Sequence, residues 1–235
     1  MEITIHRSDS RGLAEHGCLT SRHSFSFASY HNPERMGFGL LRVLNDDIVA
    51  GGKGFATHPH KNMEIISIPL FGDLVHKDST GREQIIRSGD VQIMSAGTGI
   101  AHSEYNHSAT EEVQFLQIWI FPKEKDVVPR YDQKSFSPEG RINQWQKVVS
   151  NQADGAIAIH QDAALSLADV DAGQELTYTW EHPANGLYLF VLNGEVEVDG
   201  TTLDTRDAAG ITGTSSLEIK AKSYAELLAI EVPMG

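Results

Sequence analysis

Cysteine is almost absent from this chain: Cys18 is the only thiol in 235 residues. No intrachain disulfide can form, a closed cysteine-built zinc site is excluded, and a reducing cytoplasmic compartment fits. We read Cys18 itself as a small, partly buried residue. Long apolar runs are missing too. None approaches the ~20 residues that cross a bilayer, so no membrane role is expected. The opening Met1-Glu2-Ile3-Thr4-Ile5-His6-Arg7 lacks the apolar stretch of a secretion signal. Positive charge is scarce: 19 Lys and Arg stand against 32 Asp and Glu, a net charge of −13. Residues 1–120 carry 10 basic and 14 acidic side chains, residues 121–235 carry 9 and 18. Neither half offers the basic stripe that a phosphate backbone requires, so no direct nucleic-acid binding is expected.

Long amphipathic helical patterns are also scarce. Short β-rich runs punctuated by Gly, Asp and Asn take their place, at 39–44, 64–70, 84–86, 91–94, 113–121, 187–192, 195–198, 217–219 and 227–232. Such spacing predicts an all-β sandwich or barrel. The best helical pattern, 163–170, is short. The chain also repeats itself. Ile68-Pro-Leu-Phe-Gly72-Asp-Leu-Val followed by Gly89-Asp90-Val-Gln-Ile-Met is echoed by Phe190-Val-Leu-Asn-Gly194-Glu-Val-Glu followed by Arg206-Asp207-Ala-Ala-Gly-Ile. The repeat favours two similar β-barrel or jelly-roll domains over one large one. We place them at 1–122 and 151–235, with the proline-bearing stretch 123–150 as linker.

Two short segments carry the chemistry: Thr57-His58-Pro-His60 and His102-Ser-Glu104. On a strand, side chains at i and i+2 leave from the same face, so each pair can point at one spot inside a barrel. Three imidazoles and a carboxylate suit one divalent transition metal, Fe(II), Mn, Ni, Co, Cu or Zn. Four protein ligands on a six-coordinate ion leave two positions open. Gly52 before the first pair, and Gly97 and Gly99 before the second, let the chain turn tightly into each. Glu64 shares the parity of His58 and His60, so parity alone does not choose between Glu64 and Glu104; the alternative for Glu64 is to orient an imidazole N–H. Aligning the repeat on Gly72 and Gly194, and on Asp90 and Asp207, sets Trp180, His182, Ile219 and Ala221 opposite the four candidate ligands. The second barrel is then a degenerate copy without a metal site.

The stretch 52–64 resembles the first cupin motif, and 89–106 the second, departing by Ser95 in place of proline and by two extra residues before His102. His23-Ser-Phe-Ser-Phe27, Gly37-Phe-Gly-Leu-Leu-Arg-Val-Leu-Asn-Asp-Asp47, Thr57-His-Pro-His60 and Met94-Ser-Ala-Gly-Thr-Gly-Ile-Ala-His-Ser-Glu104 are similar to the pirin branch of the cupins, quercetinase type. The resemblance is dense over 10–122 and loose beyond. It implies a bicupin and assigns the ligands to His58, His60, His102 and Glu104, with Glu64 outside the ligand set and iron as the usual metal. It implies cleavage of the flavonol quercetin, or a similar enolic aromatic substrate, by dioxygen with release of carbon monoxide. Glu104 would be the catalytic base, and Phe25, Phe27, Phe38, Phe55 and Met94 are candidates for an aromatic slot. Some relatives of this branch are described instead as non-catalytic regulators, so the alternative is a metalloprotein acting through a protein partner.

Overall fold

The computed structural model describes residues 1–152 and 155–235. Among the described residues there are twenty-two strands, two single 3₁₀ turns (Ser8–Ser10 and Pro138–Arg141) and no α-helix. The strands form four sheets. In the N-terminal half a seven-stranded sheet runs Arg130–Ser135, Asp90–Ser95, Glu64–Phe71, Val113–Ile120, Leu41–Val49, Leu19–His23, Gly12–Glu15, and a four-stranded sheet runs Gly54–His60, Ile100–Asn106, Leu74–Asp78, Glu83–Ile86. The C-terminal half repeats this plan. Its large sheet runs Glu2–His6, Ala208–Thr212, Asn185–Asn193, Ala225–Pro233, Ala164–Val170, Gln146–Ser150, Ile157–Ala158; its small sheet runs Glu175–Thr179, Ser216–Ala221, Val196–Val198, Thr201–Leu203. The fold is the expected all-β pair of barrels.

The two large sheets pack face to face. One apolar cluster spans both, with Ile66, Ile68, Leu116 and Ile118 from the first and Leu165, Phe190, Leu228 and Ile230 from the second. Each large sheet therefore buries both faces, which is why its strands read as near-continuous apolar runs rather than alternations. Ala164–Val170 shows the cost of that pattern for sequence reading. The best helical candidate is a central strand, because a short apolar run buried on both sides has no period to distinguish strand from helix.

The interiors of the two barrels differ. The C-terminal one holds a single cluster of eighteen buried apolar residues. The N-terminal one holds two small clusters, Val49, Leu74, Ile86, Val113 and Phe115 at one end and Ile65, Met94, Ala96 and Ile100 at the other. Polar groups lie in the same barrel.

Strand pairing divides the chain differently from the boundaries 1–122, 123–150 and 151–235 drawn from the repeat and the prolines between its halves. Glu2–His6 pairs with Ala208–Thr212 and so belongs to the C-terminal sheet. Arg130–Ser135, within the expected linker, pairs with Asp90–Ser95 in the N-terminal sheet. Each barrel thus takes its outermost strand from the segment that precedes the other. Gln146–Ser150, also in that stretch, pairs with Ala164–Val170. Prolines 129 and 138 mark turns between these strands, not an unstructured connection. Cys18 is exposed rather than partly buried, at a turn where its N–H donates to the His16 carbonyl.

Because the large sheets share one core, Ile66→Ala should cost about 2–5 kcal/mol and lower both halves together. Chemical denaturation followed with one probe in each half tests this; a shift confined to the N-terminal half would show that the sheets do not unfold as a unit.

Candidate metal centre

The strand Ile100–Asn106 is the axis of the site. It pairs on one side with Gly54–His60, placing His102 opposite His58, and on the other with Leu74–Asp78, placing His102 opposite Asp78 and Glu104 opposite His76. The first pairing slips between His102 and Glu104, since Glu104 faces Phe55. The two residues between Phe55 and His58 thus oppose one, Ser103, a bulge that re-aims side chains. It lets Phe55, His58 and His60 share the inner face despite their odd spacing.

His58, His60 and His102 converge, their potential ligand atoms lying within 4.8 Å of one another. Each ring is set by a neighbour. His58 Nδ1 lies 2.8 Å from the Ala56 carbonyl; a carbonyl only accepts, so Nδ1 carries the proton and Nε2 presents a lone pair. His60 packs its ring edge-on to Trp119 at 4.9 Å, and its Nε2 is buried with no hydrogen-bond partner. A buried imidazole nitrogen without a partner, inside a triad of imidazoles, fits a cation as its partner. Burial, then the His102 and His58 rings, lower the His60 pKa to about 4. Burial, then His58 and His76, lower that of His102 to about 3. Both rings are neutral at pH 7, the state that ligates.

Glu104 is buried but sits in a second set, with His76 and His102, whose ligand atoms also lie within 4.8 Å. Its carboxylate accepts from the Ser67 hydroxyl at 2.8 Å and from the Gln117 amide at 2.6 Å. His76 was not foreseen. It is fully buried, donates from Nε2 to Asp78 at 3.0 Å, and turns Nδ1 toward His102 Nδ1 at 3.5 Å. With its proton on Nε2, His76 accepts, so His102 Nδ1 carries a proton and its Nε2 is free for a cation. The pattern His-x-Asp on a strand has the same i, i+2 spacing as the expected pairs, and only the hairpin register reveals that it faces them.

Glu64 points elsewhere. Its carboxylate accepts from Ser95 Oγ at 2.9 Å and from the backbone N–H of His160 at 3.2 Å, at the contact between domains. Three residues separate His60 from Glu64, and they turn the chain into another strand, so sequence parity does not carry across. The repeat also aligns differently in space. Matching the pairs of the two small sheets sets Leu176 and Tyr178, not Trp180 and His182, opposite His58 and His60, while Ile219 and Ala221 do stand opposite His102 and Glu104. Val196 and Val198 replace His76 and Asp78.

A cavity of about 220 Å³ opens beside the triad, walled by Leu19, Phe27, Phe55 and Trp119 and reached by His58 and Glu104. Of the residues expected to form a slot, Phe27 and Phe55 line it. Phe25 and Phe38 pack instead on Tyr188 between the domains, and Met94 lies in the barrel core. Trp119, not foreseen, is the larger wall. Asp47 also lines the cavity; burial pushes its carboxyl up to about 7, against the pull of the Ser21 hydroxyl. A larger cleft of about 340 Å³ between the domains holds Arg141 and Arg206, already paired with Asp169 and Asp46.

The Pirin family model matches residues 6–120, and the model for the quercetinase C-terminal cupin domain matches 147–232. The chain is 40% identical over 236 residues to a quercetin 2,3-dioxygenase of Escherichia coli K12, covering 98% of this chain and 99% of that one. This chain belongs to the pirin family. A crystal structure of YhhW from E. coli superposes with a TM-score of 0.94 at 39% identity, covering 99% of this chain and 98% of that one. A second, of the bacterial pirin YhhW in complex with nickel(II), gives 0.93 at 39% identity and 99% of both chains. The pirin is thus matched along its whole length. No helix among the described residues is long and apolar enough to cross a membrane.

The two depressed imidazole pKa values set a pH dependence. In the unfolded chain these rings take protons near pH 6.5; in the folded metal-free protein they resist until about pH 4 and 3. The unfolded state then binds more protons, so the stability they contribute is complete above pH 6.5 and is lost as pH falls toward 4 and below. His60→Asn should flatten that loss between pH 6.5 and 4 in denaturation of metal-free protein. Parallel pH profiles for the two proteins would contradict the neutral-ring assignment.

Proposed function

We propose that this pirin is a metal-dependent dioxygenase that opens the ring of a flavonol, or of a similar enolic aromatic substrate, with dioxygen and release of carbon monoxide. The observation that carries the reading is the convergence of three imidazoles at one end of an aromatic-walled cavity. The quercetin 2,3-dioxygenase name of the E. coli relative supports it, and the nickel(II) complex of the bacterial pirin supports a metal on this donor set. The ligands we assign are His58, His60, His102 and Glu104, and the metal we assign is Fe(II); the same donors accept Mn, Ni, Co, Cu or Zn.

When bound, the cation supplies Lewis acidity toward the enolic oxygen and redox access to dioxygen. The protein supplies the rest. His58 is oriented by the Ala56 carbonyl and His102 by His76 and Asp78, which fixes the tautomers that present Nε2. Glu104 takes the proton of the enolic hydroxyl at a carboxylate oxygen, with the Ser67 hydroxyl and Gln117 amide holding that carboxylate in position. Phe27, Phe55 and Trp119 hold the flat ring system and exclude water.

Anaerobically purified, metal-loaded protein should consume oxygen with quercetin and evolve carbon monoxide. His60→Ala should lower the rate beyond the roughly 10–100-fold that changes outside the ligand set produce. Equal rates in the two proteins would remove the triad from the chemistry. No uptake with any flavonol would favour the regulatory role acting through a protein partner.

A further inference from the structure

A row of polar side chains crosses the large N-terminal sheet from the Glu104 carboxylate outward. Ser67 pairs with Gln117, Gln117 with Asn45, and Asn45 with His23. Residues directly opposite in antiparallel strands share a face, and Ser67 and Gln117 show which face by donating to Glu104 inside the barrel. Asn45 and His23 therefore point inward as well, and both line the cavity beside the triad. Adjacent strands stand about 4.8 Å apart. Asn45 is thus one strand and His23 two strands, roughly 10 Å, beyond Gln117.

The first two members of the row are satisfied; the outer two are not. Asn45 is 3% exposed and its Oδ1 has no hydrogen-bond partner; His23 is 2% exposed and its Nδ1 has none either. Leaving such atoms unpaired costs about 1–3 kcal/mol each, and nearly all buried polar side chains in folded proteins are paired. Their neighbours in the structure do not serve. The His23 ring meets Phe27 and Tyr30 through aromatic contacts, and the Gln117 amide donates to Glu104. A carbonyl oxygen accepts only, so the missing partner of Asn45 is an O–H or N–H donor. A neutral imidazole nitrogen can accept from a second one.

Resting on the dioxygenase reading, we propose that Asn45 and His23 form a hydroxyl-reading subsite, the residues that choose among aromatic substrates by the hydroxyls on their outer rings. Its enolic oxygen lies at the Glu104 end and its phenolic hydroxyls reach out along the row. The apolar walls hold any flat ring; the two open acceptors choose among rings by their hydroxyl groups. Asp47, in the next row and held by Ser21, borders the same space without being required for the choice.

The test is binding of two flavonols to the full, metal-loaded protein under nitrogen, read by quenching of tryptophan fluorescence, Trp119 being in the cavity wall. Quercetin carries hydroxyls on its outer rings; 3-hydroxyflavone has the enol alone. The wild-type protein should prefer quercetin by about tenfold or more. Asn45→Leu, which keeps the volume and removes the acceptor, should bring that ratio toward one. His23→Phe should do the same, and it carries the test if Asn45→Leu fails to fold. A ratio unchanged in both variants, with both flavonols bound and oxygen consumed on aeration, overturns the subsite and leaves the dioxygenase reading intact. Failure of the wild-type protein to bind either flavonol overturns both.

Discussion

The whole site depends on the register of one strand. Ile100–Asn106 lies between two partners in the small sheet, and that position sets His102 against His58 on one side and Asp78 on the other. A slip of one residue would turn His102 and Glu104 to the outside of the barrel. The apolar ends of the N-terminal barrel resist such a slip, because Ile100 packs with Ile65 and Met94 while Leu74 packs with Val113 and Phe115. The bulge opposite Glu104 completes the arrangement by bringing Phe55 to the inner face that His58 and His60 already share.

The C-terminal barrel shows what this arrangement replaces. Where the first barrel has His58, His60, His76, Asp78, His102 and Glu104, the second has Leu176, Tyr178, Val196, Val198, Ile219 and Ala221. One backbone plan is filled with apolar side chains in one copy and with buried polar ones in the other. Buried polar groups cost free energy unless paired, and the N-terminal barrel pairs most of them: Glu104 with Ser67 and Gln117, His76 with Asp78, His58 with a carbonyl. Of those left open, His60 Nε2, Trp119 Nε1, Asn45 Oδ1 and His23 Nδ1 border the triad and its cavity. The continuous core of the second barrel and the interface between the large sheets support this less apolar copy from one side. Exchange of the outer strands Glu2–His6 and Arg130–Ser135 ties the two together.

Much of this was legible in the chain itself. The all-β class, the repeat and the candidate ligand pairs follow from local patterns: short strands, Gly-acid turns, and histidines at i, i+2. The family resemblance implies Glu104 rather than Glu64 as ligand; in the structure Glu64 bonds to Ser95 and His160, and ligation by Glu104 is our proposal. What was not legible depends on long-range register. His76 and Asp78 look ordinary until their strand is seen beside His102. Trp119 and Asn45 lie on strands buried on both faces, where no alternation marks the inward side. The exchanged outer strands have no local signature at all, and Ala164–Val170 carries a run with no period. The bulge between Phe55 and His58 defeats parity counting.

The central claim is that His58, His60 and His102 bind one cation through Nε2, beside Glu104. X-ray absorption spectroscopy of the iron-loaded protein, compared with the His60→Ala variant, tests it most directly. The account predicts three imidazole nitrogens bound to the iron in the wild-type protein and two in the variant, with oxygen donors filling the remaining shell. An iron environment made of oxygen donors alone, identical in both proteins, would contradict it.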